Sequence, residues 1–314
     1  CSANSSPGNN TTQRCSLTAY SPTCDKVKVQ CTDRPTTAAA TAPTVQRYLG
    51  SEYTYELVAL MNRNYPVISN YTFFWLRIEK LSLRNDQIRK LEAEAFDGVD
   101  GGLKSLHLSM NLLLEEEMRL FSASLANLTE LYLDGNRLQR VNRHTFSALA
   151  SLATLQLSFN RIEWIESDAF AHNPELTALD LTGNGLRRLS THRPLPKLSV
   201  LVLDENELEA VGRDTFVNFT RLRRGEGGAF RANTLLQTLT LANNRLSATG
   251  LVARDAFDGL VSLSTLSLAR NQIESVRDLS GLLRLPNLTE LDLSSNRISC
   301  CIERLAAAAA ALSN

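Results

Sequence analysis

Few side chains in this sequence are placed where they could act together in catalysis or metal binding. The histidines lie far apart along the chain: His107, His144, His172 and His192. The sequence has no H-E-x-x-H pair, no C-x-x-C metal spacing and no G-x-S-x-G nucleophile turn. The glycine-rich stretch from Gly225 to Gly228 lacks the G-K-S or G-K-T ending of a phosphate-binding loop. We therefore predict no enzyme activity, no catalytic residue, no metal site and no cofactor.

Charge and hydropathy argue against two classes of partner. Lys plus Arg and Asp plus Glu both total 33, so the formal net charge is zero. Such a chain has no overall field that would recruit nucleic acid or an anionic membrane. Its longest bland apolar run, Ala306 to Leu312, is far shorter than the roughly 20 residues that cross a bilayer. We predict no nucleic-acid partner and no membrane span.

The alanine run from Ala306 to Ala311 has two interpretations. It is either an ordinary helix or a stretch of residues whose side chains were not identified.

The cysteines cluster at the two ends of the chain. They are Cys1, Cys15, Cys24, Cys31, Cys300 and Cys301. This arrangement is typical of disulfide-stapled caps around a thiol-free body, and the pairing stays open. The adjacent cysteines near the end either bridge each other under strain or belong to a native chain that continues, and we favour continuation.

Seven triplets match the acceptor pattern for N-linked glycosylation. Their asparagines are Asn4, Asn9, Asn10, Asn70, Asn127, Asn218 and Asn287. A single triplet carries little information, but seven beside six end-clustered cysteines favour passage through a secretory pathway. We therefore predict N-linked glycans and an extracellular location, either secreted or on the outer face of the plasma membrane.

An eleven-residue phrase, L-x-x-L-x-L-x-x-N-x-L, recurs from Ile78 onward. Its copies are centred on Asp86, Asn111, Asn136, Asn160, Asn184, Asn206, Asn244, Asn271 and Asn296. Successive centres are 22 to 27 residues apart, except for 38 residues between Asn206 and Asn244. This regular spacing predicts tandem structural repeats.

Each part of the phrase has a physical reason. The L-x-L stretch predicts a short strand whose leucines point inward while the neighbouring residues point outward. An asparagine amide can bond the backbone groups that the following turn leaves unpaired, so stacked repeats should align these amides in a ladder. Phenylalanines predict a second buried row on the return side: Phe96, Phe121, Phe146, Phe170, Phe216 and Phe257. A single repeat cannot bury either row, so neighbouring repeats must stabilise each other.

The phrase, its period and its phenylalanines resemble the extracellular leucine-rich-repeat family typified by Toll-like and Slit-like ectodomains, over about residues 57–300. The resemblance implies an α/β solenoid: a right-handed horseshoe with a parallel concave β-sheet, an irregular convex side and cysteine-containing caps. We assign 1–56 to an N-terminal cap and a Thr/Ala/Pro-rich loop, 57–299 to about ten repeats, and 300–314 to the start of a C-terminal cap or a truncated tail. Residues 222–235 are irregular: a repeat without its strand, a protruding loop, or a place where residues are missing.

The outward strand side chains of such a solenoid form a continuous surface large enough for a protein partner. Tyr132 is the aromatic side chain that we expect there, and aromatic anchors among polar groups are typical of interface centres. The predicted binding residues are Tyr132, Asp134, Gln156, Asp180, Val202 and Asp204. The competing interpretation is a solvated strand face on which Tyr132 covers its neighbours.

Three functions compete at this stage. We predict a recognition module, a receptor ectodomain or secreted binder, that takes a protein or glycan ligand on its concave face. The alternative is a structural or adhesive subunit of a larger extracellular assembly, which contacts its neighbours through edges and convex surface. An inhibitor that wraps an enzyme is the third, but such proteins usually hold many free cysteines, and cysteines are scarce here.

Overall fold

The structure is a computed structural model of the chain. The residues that it describes are 15–19, 26–31, 54–60, 65–99, 102–118, 121, 123–189, 195–211, 234–247, 257, 260–275, 279, 282 and 284–298. The chain forms two compact units, one made of residues 1–138 and 144–156, the other of residues 139–143 and 157–314.

The described secondary structure includes short strands, a four-residue helix and a 3-10 turn. The strands are β1 (Cys15–Ala19), β2 (Lys26–Cys31), β3 (Thr54–Leu60), β4 (Val67–Ile68), β5 (Arg77–Ile78), β6 (Lys80–Ser82), β7 (Lys90–Leu91), β8 (Ser105–His107), β9 (Glu130–Tyr132), β10 (Arg140–Val141), β11 (Thr154–Gln156), β12 (Trp164–Ile165), β13 (Ala178–Asp180), β14 (Val200–Val202), β15 (Thr238–Thr240), β16 (Thr265–Ser267) and β17 (Glu290–Asp292). The helix α1 is Glu115–Met118, and the 3-10 turn is Ala123–Leu125.

The first unit is a stack of parallel strands that begins with one hairpin. Strand β1 runs antiparallel to β2, and β3, β6, β8, β9 and β11 then follow in parallel. The strand leucines are register partners from repeat to repeat: Leu81, Leu106, Leu131 and Leu155. All four are fully buried, and each such side chain contributes about 1.5–3 kcal/mol to folding. Strand β3 begins at Thr54 and crosses the domain boundary that the sequence predicts at residue 57.

The second unit repeats this plan. Strands β13 to β17 are parallel neighbours in chain order. Leu179 in β13 is buried like its counterparts, whereas Leu291 in β17 is 37% exposed. Strand β14 pairs directly with β15, so the long interval between Asn206 and Asn244 adds no strand between them. Residues 212–233, which include most of the predicted irregular stretch 222–235, lie outside the described part of the chain.

The asparagine ladder predicted from the repeat phrase is present in both units. In the first unit, the Asn136 amide donates to the carbonyls of Leu108 and Leu133 at 2.9 Å each. Its side-chain oxygen accepts the Leu113 N–H at 3.1 Å. In the second unit, Asn244 bonds backbone groups of its own repeat and of the preceding repeat in the same way. Each amide therefore ties two repeats together with bonds that water cannot supply in the core.

A row of aromatic side chains lines the return side, as predicted. In the first unit, the Phe73 and Phe96 rings stack at 6.0 Å between centroids, and the Phe96 and Phe121 rings follow at 6.2 Å. The predicted Phe146, Phe170 and Phe257 are buried, while Phe216 lies outside the described residues. Phe73, which the sequence analysis overlooked, extends this row toward the N-terminus. The parallel strands, buried leucines and amide ladders establish the solenoid fold.

Candidate binding face

The outward residues of β8 and β9 form the most distinctive part of the face in the first unit. His107 and Tyr132 are register partners, and their rings stack with centroids 4.0 Å apart and planes 10° from parallel. Ser105 lies beside them, with its hydroxyl 3.2 Å from His107 Nε2. The result is a flat aromatic platform on a surface whose other outward strand positions are mostly polar.

Burial shifts the ionisation of both rings of this platform. Desolvation lowers the pKa of His107, and the positive charges of Lys80 and Arg84 act in the same direction, while Glu130 and Asp134 oppose them. Burial also raises the pKa of Tyr132, and the Glu130 carboxylate reinforces that shift. Both rings are therefore uncharged near neutral pH, which favours their stacking and their use as an apolar contact surface.

Polar side chains surround the platform. Gln156 in β11 is the register partner of Tyr132 on the side away from His107. The Asp134 carboxylate accepts the Ser109 hydroxyl at 2.6 Å. On the other side, the Arg84 guanidinium reaches the sulfur of Met110 at 3.7 Å. The first unit thus brings together three of the predicted residues, Tyr132, Asp134 and Gln156, on one face.

The remaining three predicted residues lie together on the second unit. Val202 in β14 is the register partner of Asp180 in β13, and Asp204 follows two residues later. Asp180 Oδ1 accepts the Thr182 N–H at 2.9 Å and the Thr182 hydroxyl at 2.6 Å, so it holds the turn after its own strand. Asp204 Oδ1 accepts the Ala242 N–H at 2.7 Å. Both carboxylates therefore bond backbone groups of the solenoid as well as facing outward.

Opposing effects act on the pKa of the Asp204 carboxyl group. Burial raises the pKa of this carboxyl, and the negative charges of Asp180 and Glu205 raise it further, whereas the hydrogen bond from the Ala242 N–H lowers it. A carboxylate kept under these opposing effects would gain from a partner that brings a positive charge or a hydrogen-bond donor.

Sequence analysis missed the bulky apolar residues in the turns after the strands. Phe159 in the second unit has a φ of 53° and is 60% exposed, and Met110 in the first unit has a φ of 57°. Side chains of this size rarely adopt the left-handed conformation. The signal in the sequence was the residue just before the phrase asparagine, where the third repeat and the fifth carry Gly135 and Gly183. Each bulky side chain lies over the glycine of the following repeat.

The glycosylation triplets gain a structural explanation at two places. Asn70, Asn127 and Asn287 are exposed, while Asn4, Asn9, Asn10 and Asn218 lie outside the described residues. The hydroxyl of Thr129 donates to the Lys104 carbonyl at 3.0 Å, and that of Thr289 donates to the Ser264 carbonyl at 3.1 Å. The threonines of both N-L-T triplets thus join consecutive repeats whether or not the asparagines carry glycans. These two triplets therefore carry less weight for a secretory pathway than their number indicates.

The cysteines add little to the described structure. Cys15 in β1 and Cys31 in β2 are register partners, so their Cα atoms face each other across the antiparallel hairpin. Cys1, Cys24, Cys300 and Cys301 lie outside the described residues, as do His192 and the alanine run near the C-terminus. That these cysteines form disulfides stays a prediction, and their pairing stays open. Within the described ranges, no group of three or more histidines, cysteines and carboxylates could hold a metal ion, and no helix is long and apolar enough to cross a bilayer.

These features define a solenoid of leucine-rich repeats. A family model described as "Leucine rich repeat" matches residues 126–186 and 234–298, which include six of the nine phrase centres. The chain is 34% identical over 95 residues to the U2 small nuclear ribonucleoprotein A' of Schizosaccharomyces pombe. That match spans 30% of this chain and about a third (32%) of the relative's length.

Solved structures share the fold. An internalin (inlF) from Listeria monocytogenes str. 4b F2365 superposes with a TM-score of 0.52 and 17% identity, covering 78% of this chain and 68% of the internalin. A TLR13–ssRNA13 complex gives a TM-score of 0.56 at 19% identity, covering 81% and 41%. An LRIM1/APL1C complex gives 0.54 at 22% identity, covering 79% and 41%. At these identities the similarity concerns the fold alone, and this chain spans less than half of the last two proteins.

Proposed function

We propose that this chain is a recognition module that binds a protein partner through the outward face of its strands, with the His107–Tyr132 platform as an anchor. The observation that carries the proposal is the uncharged ring pair, stacked at 4.0 Å on an otherwise polar face. Interface centres are enriched in such aromatic groups, and a rim of polar groups excludes water around them. The proposal includes no catalytic step, no metal and no cofactor.

The charges around the platform favour a protein over a nucleic acid. Two of the structurally similar proteins are recorded in complexes, one with RNA and one between two named proteins. Here Lys80 and Arg84 near His107 are matched by Glu130 and Asp134, and the second unit adds the carboxylates of Asp180 and Asp204 on its corresponding face. With no excess of positive charge to hold phosphates, this mixed surface suits a protein with charged and polar groups better than a nucleic acid.

Photo-crosslinking tests the binding face. A photoreactive amino acid that replaces Gln156 in the full chain, in its native setting, should crosslink to the partner protein and give a discrete adduct. The same amino acid at exposed Lys90 in β7 serves as the control, because β7 belongs to a different two-stranded sheet. We expect Tyr132→Ala combined with Asp134→Lys to abolish the adduct at position 156. Adducts that persist in this variant would refute the proposal, and adducts only at position 90 would support the structural or adhesive alternative.

We also propose an extracellular location, as a receptor ectodomain or a secreted binder. The acceptor triplets other than those of Asn127 and Asn287, the six end-clustered cysteines and the exposure of Asn70 support it. The relative whose name describes a nuclear ribonucleoprotein is similar over only 30% of this chain.

Enzymatic release of N-glycans from the endogenous protein in heavy-oxygen water should convert the asparagines of the triplets to labelled aspartates. Asn142, which is not part of a triplet, is the internal control. Unlabelled asparagine at every triplet of the endogenous protein would refute an extracellular location.

A further inference from the structure

The turn between β4 and β5 carries an exposed group of aromatic side chains, which we call the turn aromatic patch: Tyr71, Phe74 and Trp75. The Phe74 and Trp75 rings meet edge to face with centroids 4.6 Å apart, and Tyr71 meets Phe74 in the same way at 5.6 Å. Trp75 is 69% exposed and Tyr71 is 47% exposed. Exposed aromatic groups of this size commonly mark interaction sites.

The backbone of the next repeat holds this patch in place. The Trp75 N–H donates to the Gly98 carbonyl and the Tyr71 N–H to the Glu94 carbonyl, both at 2.9 Å. The ring of Phe74 fills the space where a side chain at position 98 would stand, since a Cβ there would come within 1.8 Å of Phe74 Cδ2. Tyr71 and Trp75 have φ values of 58° and 68°, a conformation that bulky residues rarely adopt. The rings are therefore fixed outward rather than folded back onto the core.

Acidic groups border the rings. The Tyr71 hydroxyl bonds the Glu94 carboxylate, and this bond is the main reason that the pKa of Tyr71 is raised. The charge of Asp97 acts on the same hydroxyl. Aromatic faces carry negative electrostatic potential, and carboxylates at their rim add to it. A positively charged group meets favourable charge here both from the ring faces and from the rim.

We propose that the turn aromatic patch binds a cationic side chain, arginine or lysine, presented by a partner peptide. Trp75 and Tyr71 supply ring faces for the cation, and Glu94 supplies the opposite charge. This site lies in the turn between β4 and β5, away from the His107–Tyr132 platform, so the proposal is independent of the binding face proposed above. A guanidinium group suits it well, because its flat apolar faces stack on rings while its edge bonds a carboxylate.

Fluorescence anisotropy of a labelled peptide of alternating glycine and arginine tests the proposal on the full chain. We expect Trp75→Gly to weaken binding about fivefold, the size typical of an exposed cation–π contact. Glycine suits the left-handed φ at this position, so this variant should fold at least as well as the native chain. Trp164→Ala removes the other exposed tryptophan of the sequence and should leave the affinity unchanged. Glu94→Gln should also weaken binding, because the amide retains the shape and loses the charge.

A second peptide separates charge from apolar contact. With citrulline, the neutral isostere of arginine, at every arginine position, we expect binding to fall by a similar factor or more. Equal affinity for the two peptides, or unchanged affinity in Trp75→Gly, would overturn the proposal. Binding that appears only after N-glycans are removed would also overturn it, since a glycan on Asn70 would then be the occupant. Self-association that Trp75→Gly abolishes would instead assign the patch to a second copy of the chain.

Discussion

At the scale of single residues, glycines in the turns after the strands have a defined role. Gly183 has a φ of 66°, and a Cβ there would come within 2.6 Å of Phe159 Cδ1. Gly185, two residues later, does not have a left-handed φ. The side-chain atom nearest to a Cβ there would be Glu163 Cγ, at 3.3 Å, and the Glu163 side chain is flexible. The two glycines thus form a matched pair that differs in backbone conformation and in the rigidity of the neighbour.

We expect Gly183→Ala to lower the free energy of unfolding by about 2–3 kcal/mol, from backbone strain plus overlap with the Phe159 ring. Gly185→Ala should cost less than about 1 kcal/mol. Urea denaturation of both variants measures the difference. Repeating Gly183→Ala in a Phe159→Ala background should remove the steric part and leave the backbone part. Equal losses for the two glycine variants would show that neither effect operates.

Asn111 is the residue of the ladder whose partners are most completely defined. Its side-chain oxygen accepts the N–H groups of Asp86 and Ile88 at 3.0 Å each, and its amide donates to the carbonyls of Leu83 and Leu108 at 2.8 and 2.9 Å. Asn111→Ala would leave several buried backbone groups unpaired, each costing about 1–3 kcal/mol. Partial access of water reduces that sum, so we expect a loss of about 3–5 kcal/mol in urea denaturation.

Gln139→Ala is the control for this prediction, because it removes a side-chain amide from an exposed position. It should change the free energy of unfolding by no more than about 0.5 kcal/mol. A loss below about 1 kcal/mol in Asn111→Ala would mean that the ladder follows from strand stacking and contributes little to it.

At the scale of elements, the strands β8 and β9 make stability depend on pH through His107. The unfolded chain takes up a proton at the ordinary histidine pKa of about 6.5, whereas burial lowers the pKa of His107 in the folded chain. Between these two values unfolding binds a proton, so the stability falls as the pH falls. Above about pH 6.5, His107 is neutral in both the folded and the unfolded chain, and the free energy of unfolding no longer depends on its titration.

The variant His107→Phe isolates this effect, because it keeps a ring against Tyr132 and cannot titrate. On going from about pH 7.5 to about pH 5.5, we expect the native chain to lose more stability than His107→Phe, as measured by urea denaturation at each pH. Other carboxyl groups titrate in both proteins and cancel in the comparison. Parallel profiles for the native chain and His107→Phe would contradict the assignment.

Much of this element structure was predictable from the sequence. The spacing of leucine and asparagine predicted the strands, the ladder and the buried faces. It could do so because every repeat needs its own inward leucines and its own turn amide. The partner of Tyr132 was not predictable in the same way, since pairing with His107 depends on the register between β8 and β9. Asp204 is a similar case: its backbone partner, Ala242, lies 38 residues away along the chain. The left-handed turn at Phe159 escaped prediction because the phrase leaves that position unspecified.

At the scale of the whole molecule, the solenoid fold predicts that a destabilising substitution in one repeat loosens only that repeat and the repeats beside it. Each repeat of such a fold is stabilised by its own packing and by the repeats beside it. In the first unit, Asn111 bonds backbone groups of residues 83–109, within two successive repeats. In the second unit, Asn244 accepts the Leu208 N–H and donates to the Leu203 carbonyl, one repeat away. The two asparagines allow a reciprocal test.

Hydrogen exchange followed by mass spectrometry should show the two patterns as opposites. Asn111→Ala should speed exchange of the backbone N–H groups around β6, β8 and β9, and leave the groups donated by Leu203 and Leu241 protected by their bonds to Thr240 and Ser267. Asn244→Ala should expose those second-unit groups and leave the Leu108 N–H, bonded to the Tyr132 carbonyl, protected. The native chain and Gln139→Ala serve as references for full protection. If either variant loosened all of these groups equally, unfolding would be cooperative along the entire chain, and the nearest-neighbour account of its stability would be wrong.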